Sequence, residues 1–175
     1  RNLQHQVDGE LDRLYPDRTE KNQRVVVRKG RENYLCLLNL EDASRVLPTL
    51  PRHGVALGLM ARWALATRDG DLVGGDFPAW LGDLMGRAGT LGLADRRGEC
   101  VYSACPHYGK CFIEKSVRKA RRADLVIANH ALVMIQAAIG GDDGRQPTRL
   151  VFDEGHHIFE AADGAFAAEL SARET

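Results

Sequence analysis

The four cysteines of this chain constrain its fold more than any other feature of the sequence. Cys100, Cys105 and Cys111 form a close trio with the spacing C-x4-C-x5-C, and Cys36 lies far before them. The set equals the number of thiolates that a tetrahedral zinc ion or a four-iron cluster requires. Binding of one shared centre would require the chain after Cys36 to loop out and return at Cys100.

The composition is typical of a globular protein with one domain, or with one domain that carries an insertion. Lys plus Arg and Asp plus Glu both number 24, so the formal net charge is zero. No apolar run approaches the roughly 20 residues of a membrane span. The chain starts at Arg1 without a signal peptide, so we expect a cytoplasmic piece of something longer. In the reducing cytoplasm, four cysteines favour a metal centre, and two disulfides are the alternative.

Positive charge is concentrated in two blocks, although the total charge is zero. One block extends over residues 18–31 and the other over residues 110–122, and each adjoins cysteines in the sequence. Such clusters are suited to binding a phosphate backbone. For either block alone, the alternative is an ordinary solvated surface.

Hydrophobic spacing in the first half predicts helices and one strand. Residues 3–14 have helical spacing, and the β-branched run at 24–28 predicts a strand. Two further helices are predicted around residues 59–64 and 80–85, with their Met and Trp side chains in the core. A loop rich in glycine and aspartate, residues 68–76, joins them.

The second half predicts an α/β arrangement. An amphipathic helix is expected at residues 112–123, followed by a strand at 124–130, a polar linker at 140–147 and a buried strand at 149–152. Two buried strands, each preceded by a helix, predict an α/β fold with a parallel sheet into which the cysteine segment is inserted.

Acidic residues directly follow the strand predicted at residues 149–152. Asp153 and Glu154 would then lie at the carboxyl edge of a parallel sheet, where α/β folds bind ligands. There Asp153 could hold a magnesium ion, Glu154 could orient an attacking water, and His156 could act as a relay. The alternative is the N-terminus of a helix, whose dipole favours acids.

The division of the cysteines into one and three bears on the kind of centre. Zinc sites commonly take their ligands two and two, whereas a close trio with a distant fourth ligand also surrounds iron–sulfur clusters. Pro106 follows Cys105, and Lys29, Arg31 and Lys110 lie close enough in sequence to offset thiolate charge. The spacing alone does not decide between an iron–sulfur cluster and a zinc ion.

Five segments together resemble the iron–sulfur superfamily 2 DNA helicases, the group that contains DinG and XPD. They are residues 2–4, 29–36, the cysteine trio, 123–132 and the Asp-Glu-Gly-His motif at 153–156. The spacing of the trio is more similar to the bacterial DinG branch than to the XPD branch. The resemblance implies part of a RecA-like parallel-sheet motor domain with an inserted, mainly helical iron–sulfur domain.

The resemblance also implies a domain organisation and an activity. Residues 1–33 would belong to motor domain 1, residues 34–113 to the inserted iron–sulfur domain, and residues 114–175 to the return into motor domain 1. The implied activity is that of an ATP-dependent 5′–3′ DNA helicase of the nucleoid, with a role in DNA repair. Its partner would be single-stranded or forked DNA. No association with a membrane is expected.

Roles for individual residues follow from the same resemblance. The four cysteines would ligate a [4Fe–4S] cluster. Asp153 would coordinate the Mg²⁺ of bound ATP, Glu154 would position the hydrolytic water, and His156 would couple hydrolysis to DNA. The residues expected to contact DNA are Asn2, Gln4, Lys29, Arg31, Tyr34, Lys110, Lys115, Arg118, Lys119 and Arg122.

The sequence departs from the helicase pattern in ways that limit its expected activity. It contains no G-x-x-x-x-G-K-[ST] phosphate loop and no second motor domain, so ATP hydrolysis requires the rest of the helicase chain. Gly155 replaces the alanine of the usual motif, a change expected to be harmless. The alternatives are a non-enzymatic zinc module that binds nucleic acid and a redox regulator that uses the cluster as a sensor.

Overall fold

The computed structural model describes residues 9–49, 53–95, 100–139 and 147–167. The chain divides into two compact units, one formed by Arg1–Lys29 and Ala123–Thr175 and the other by Gly30–Arg122. The insertion predicted at residues 34–113 falls within the second unit, and its assignment as an iron–sulfur domain stays a prediction.

The described residues are mostly helical, with a small sheet of two strands. None of the described helices combines the length and the apolar character that crossing a membrane requires. In chain order the helices and strands are α1 (9–14), α2 (Arg18–Arg24), β1 (Val25–Arg28), α3 (Leu37–Arg45), α4 (Gly54–Ala66), α5 (Ala79–Leu93), α6 (Phe112–Ala120), β2 (Leu125–Ala128), α7 (His130–Ile139) and α8 (Ile158–Phe166).

The first unit contains the sheet. Strands β1 and β2 are parallel, and their residues pair from Val25 with Leu125 to Arg28 with Ala128. Asp124 fixes the start of this pairing, because its amide donates to the Arg24 carbonyl at 2.8 Å and its carboxylate pairs with the Arg24 guanidinium. Val25 and Val26 are buried, so the prediction of a strand here is confirmed.

The strand predicted at residues 149–152 is wrong. Val151 is 97% exposed, and in the described part of the chain the only paired strands are β1 and β2. An apolar run becomes a strand where a neighbouring strand satisfies its backbone groups, and these residues have no such neighbour among those described. Two other predicted segments, the helix at residues 3–14 and the polar linker at 140–147, are described only in part. Residues 3–8 and 140–146 lie outside the described residues.

The second unit has a hydrophobic core of its own, formed by helices α3 to α6 and the segments between them. Met60 and Leu35 are fully buried in it, and Trp63 is nearly so. The core positions predicted in α4 are therefore confirmed. In α5 the prediction is partly wrong, because Leu81 is buried but Trp80 is 56% exposed. Neighbouring residues on a helix point about 100° apart, so only one of this pair faces the core.

The loop between α4 and α5 is held by its own side chains. The carboxylate of Asp76 accepts hydrogen bonds from Trp63 Nε1 at 3.0 Å, from Thr67 Oγ1 at 2.6 Å and from the Arg68 amide at 3.2 Å. Burial raises the pKa of Asp76, but these hydrogen bonds outweigh burial and the pKa is lowered overall. These hydrogen bonds hold the loop in one conformation within the second unit.

This loop contacts the chain on both sides of the cysteine set. The Gly70 carbonyl accepts from the Leu35 amide at 2.8 Å, one residue before Cys36. The Phe112 ring, one residue after Cys111, lies against Gly70, and Lys115 Nζ donates to the Arg68 carbonyl at 3.1 Å. The loop thereby brings the first and last cysteines into one neighbourhood.

Replacement of Gly70 by alanine should destabilise the second unit by about 2–4 kcal/mol. Gly70 has φ +66°, which costs an L-residue about 1–2 kcal/mol, and a Cβ would lie 2.3 Å from Phe112 Cγ. Urea denaturation measures the change. The matched control is Gly58→Ala on α4, where a Cβ meets nothing within 4 Å. Equal stability of the two variants would contradict this packing.

Candidate metal centre

All four cysteines of the chain line one cavity in the second unit, with a volume of about 30 Å³. Each is half-buried and is a free thiol, so no disulfide joins them. The polar side chains at the cavity wall are those of Arg31, Asp95, Tyr102, His107, Tyr108 and Glu114. Residues far apart in the sequence therefore meet around one small space rich in thiols.

Cys36 is positioned by a backbone contact with the end of α5. Its amide donates to the Leu93 carbonyl at 2.8 Å, and Leu35 forms an antiparallel bridge with Ala94. The end of α5 thus returns to the start of α3, and Asp95 comes to the cavity. This pairing closes the long excursion of the chain between Cys36 and Cys100.

The trio is shaped by successive tight turns. The Cys105 amide donates to the Tyr102 carbonyl at 3.0 Å, the Tyr108 amide to the Cys105 carbonyl at 3.0 Å, and the Cys111 amide to the Tyr108 carbonyl at 3.3 Å. Tyr102 has φ 48°, a left-handed conformation that is strained for a tyrosine, and its amide points at Cys100 Sγ at 3.4 Å. These turns wrap the chain around the cavity.

Two of the cysteines stand at the N-termini of helices. Cys36 immediately precedes α3, and Cys111 immediately precedes α6. The positive end of a helix dipole favours an anionic group, and a thiolate there is stabilised for the same reason. The two helices therefore place the positive ends of their dipoles next to a cavity that could hold an anionic centre.

The environment of Cys36 outweighs this effect. Burial raises the pKa of the Cys36 thiol, the backbone amides of Asn39 and Leu38 lower it, and the nearby Asp95 and Cys105 raise it, with a raised pKa as the net result. A metal that binds there would displace a proton, so its affinity would increase with pH.

Arg31 was predicted to contact DNA, and in the structure it lies at the cavity wall. Its Nε is 2.5 Å from Asp95 Oδ2, and Asp95 is only 3% exposed. The guanidinium carbon lies 5.1 Å from the centroid of the Tyr102 ring. Burial lowers the pKa of Arg31, but its interaction with Asp95 more than compensates, so the arginine is charged. DNA contact by Arg31 stays a prediction.

The other residues predicted to bind DNA differ in their surroundings. Tyr34 is 5% exposed, and its hydroxyl lies 3.4 Å from Ser116 Oγ, so the ring is part of the core. Lys29 is half-buried. Asn2 and Gln4 lie outside the described residues. The five exposed ones are Lys110, Lys115, Arg118, Lys119 and Arg122.

Helix α6 has the amphipathic character that the sequence predicts. Phe112 and Ile113 are buried in the core, whereas Lys115, Arg118 and Lys119 are exposed. The Arg118 guanidinium lies 5.7 Å from the centroid of the Tyr108 ring. We name Lys110, Lys115, Arg118, Lys119 and Arg122 together the basic face.

The acidic motif lies in the first unit, before helix α8. Asp153, Glu154 and His156 are all exposed, and His156 Nδ1 is 3.4 Å from Glu154 Oε2. Because the described residues directly before them, 147–152, form no strand, the structure does not place these side chains at the carboxyl edge of a sheet. Their catalytic roles stay a prediction that rests on the resemblance alone.

Sequence reasoning missed two polar contacts at the cavity. Asp95 gave no signal, because its burial depends on the return of α5 to Cys36. Glu41 was also missed, and its Oε2 lies 2.6 Å from Nε2 of His107, between two cysteines of the trio. A search for polar residues beside the cysteines in the sequence would have found His107 and Tyr102. It would not have found Glu41 or Asp95, which lie far from the trio or are brought to it only by the fold.

The donor set fits a metal centre in its chemistry. The chain offers four free thiols around one cavity, and an amide hydrogen bond to a sulfur is a common feature of thiolate ligation. Within residues 9–49, 53–95, 100–139 and 147–167, no three His, Cys, Asp or Glu residues form a group that could hold a metal ion. Ligation by the four cysteines is therefore a proposal.

Comparison with known proteins identifies relatives over most of the chain, although no family model matches it. The chain is 31% identical to the ATP-dependent DNA helicase YoaA of Escherichia coli K12, over 86% of this chain and 24% of the relative. The ATP-dependent helicase DinG of Mycobacterium tuberculosis H37Rv is 32% identical over 97% of this chain and 27% of its own length. The ATP-dependent DNA helicase DinG of Photobacterium profundum is 30% identical over 87% of this chain and 22% of its own length.

The chain is thus related to proteins named ATP-dependent DNA helicases. It spans about a quarter of the length of these curated relatives. Within that class the relatives carry the names DinG and YoaA, and the predicted resemblance to a segment of a DinG-type helicase is confirmed.

Replacement of Arg31 by methionine should destabilise the second unit by about 2–3 kcal/mol, because it leaves the buried Asp95 carboxylate without its partner. The expected loss is below that of a fully buried pair, since the Arg31 side chain is 32% exposed. Urea denaturation measures it, with Lys110→Met on the exposed surface as the control. A stability equal to that of the control would show that the pair contributes little.

Proposed function

We propose that this chain is the part of an ATP-dependent DNA helicase that binds an iron–sulfur cluster and carries the Walker B motif, which is Asp-Glu-Gly-His at residues 153–156. The observation that carries the proposal is the meeting of four cysteines around one cavity, in a chain related to DinG and YoaA. The first unit, with its parallel pair of strands, would be part of a RecA-like motor domain, into which the second unit is inserted.

The four cysteines would hold a [4Fe–4S] cluster. Their free thiols, the helix N-termini at Cys36 and Cys111, and the Arg31 guanidinium at the wall support an anionic centre of this kind. When bound, the cluster supplies metal–thiolate bonds that join distant parts of the chain. Closing so long a loop costs several kcal/mol, on the order of 4–5, whereas structural metal sites contribute roughly 10 kcal/mol or more.

Single-stranded or forked DNA would bind the second unit along the basic face. Exposed lysines and arginines suit phosphates, and the stacked pair of Arg118 and Tyr108 offers a surface on which a base could lie. Arg31 and Tyr34 are left out of this face, because Arg31 is paired with Asp95 and Tyr34 is buried. Binding near the cluster would help to separate strands.

In the complete helicase, Asp153 would coordinate the Mg²⁺ of ATP, Glu154 would position the attacking water, and His156 would couple hydrolysis to DNA. The exposure of these three side chains leaves them accessible to a nucleotide. The phosphate loop and the second motor domain would come from the rest of the parent chain. This segment alone should not hydrolyse ATP.

Protein purified without oxygen should be brown and contain about four irons and four sulfides per chain. Cys105→Ser should lose the iron and become sensitive to proteases between residues 36 and 111, because one ligand of the centre is gone. Ser103→Ala is the matched control, since it changes an exposed residue of the same turn. A colourless protein with one zinc ion would instead support the non-enzymatic zinc module.

Binding of a single-stranded oligonucleotide should weaken with salt, with a log–log slope of about −0.7 for each phosphate contact. The triple substitution of Lys110, Lys119 and Arg122 by glutamine should therefore reduce the magnitude of the slope by about 2. Fluorescence anisotropy measures the affinity, and Arg62→Gln on α4 is the exposed control. An unchanged slope in the triple variant would remove the basic face from the proposal.

A further inference from the structure

We propose that His107 and Glu41 form a clasp beside the cysteine cavity, which positions the trio for metal binding. The inference rests on the proposed function, because it assumes that the cavity receives a metal centre. His107 lines the cavity between Cys105 and Cys111, and Glu41 lies on α3, the helix that Cys36 begins. His107 Nε2 is 2.6 Å from Glu41 Oε2, across a separation of 66 residues.

Both partners of the clasp are fixed by their neighbours. The backbone of His107 lies in a turn in which the Lys110 amide donates to the His107 carbonyl at 2.9 Å. The second oxygen of Glu41 accepts from Arg45, one helical turn further along α3. The His107 and Glu41 side chains are 30% and 37% exposed, so water reaches the contact only in part. A contact held from both ends loses little conformational freedom when it forms.

The clasp complements a second contact elsewhere at the cavity. Arg31 and Asp95 join the segment before Cys36 to the segment before Cys100. His107 and Glu41 join the helix after Cys36 to the turn between Cys105 and Cys111. Together these side-chain contacts link the segments on either side of Cys36 to Asp95 and to the turn of His107, without the participation of any metal.

A site whose ligands are already held in place gives up less entropy on binding than one that must assemble. The clasp should therefore slow the release of a bound metal centre. Substitution of residues that support metal ligands typically costs 10–100-fold in affinity. Because the clasp is partly exposed, we expect the lower end, a roughly tenfold faster release.

The test compares Glu41→Ala, His107→Ala and the double variant in the full 175-residue chain, reconstituted with iron and sulfide without oxygen. A ferrous chelator is added, and the decay of the visible absorption gives the rate of release. Asp42→Asn is the matched control, because Asp42 neighbours Glu41 on α3 and, among the described residues, its carboxylate pairs with Arg45 and not with His107. In parallel, metal-free protein is alkylated, and mass spectrometry gives the labelling rates of Cys105 and Cys111.

Each single variant should release iron about tenfold faster than wild type, and the double variant should be no faster than either, because one contact is lost in all three. Cys105 and Cys111 should also be labelled faster, while Asp42→Asn matches wild type. Release and labelling rates equal to wild type would overturn the clasp, as would additive effects in the double variant. If one single variant fails to fold by circular dichroism, the other decides alone.

The outcomes separate the clasp from the proposed function. The iron and sulfide content of the wild-type protein tests the cluster itself. If the wild-type protein holds zinc, the proposed function fails, and the clasp is then decided by zinc release and by the labelling rates of the same variants.

Discussion

The hydrogen bond between the Cys36 amide and the Leu93 carbonyl is the constraint on which the second unit depends. It joins the end of α5 to the start of α3 and so returns the chain to Cys36 after three helices, α3, α4 and α5. Leu35, the neighbour of Cys36, is fully buried, so the backbone at Cys36 is anchored in the hydrophobic core. The core and the cavity are consequently one structure, and damage to either should reach the other.

The electrostatics around the thiols are balanced between two opposing influences. Helix N-termini at Cys36 and Cys111 favour thiolates, and the Arg31 guanidinium adds a positive charge at the wall. Burial and the Asp95 carboxylate favour the neutral thiol at Cys36, whose pKa is raised. At Cys36 burial and the Asp95 carboxylate prevail, so a metal that binds there has to displace a proton.

The sequence predicted those features that depend on local patterns. The period of apolar residues in α6 and the β-branched run of β1 were enough to identify both elements. The strand predicted at residues 149–152 was wrong because a strand depends on a distant partner, which periodicity does not reveal. The same holds for the site, in which cysteines are visible from their spacing whereas Asp95 and Glu41 are brought there by tertiary contacts. Burial of Tyr34 is likewise a property of packing.

X-ray absorption at the iron and zinc edges of protein prepared without oxygen tests the central claim most directly. We predict iron surrounded by sulfur together with an iron–iron scattering path, because a cluster holds its irons close together. The path should disappear in Cys36→Ser, which removes the distant ligand. Zinc in a shell of four sulfurs, without any metal–metal path, would contradict an iron–sulfur centre at these cysteines.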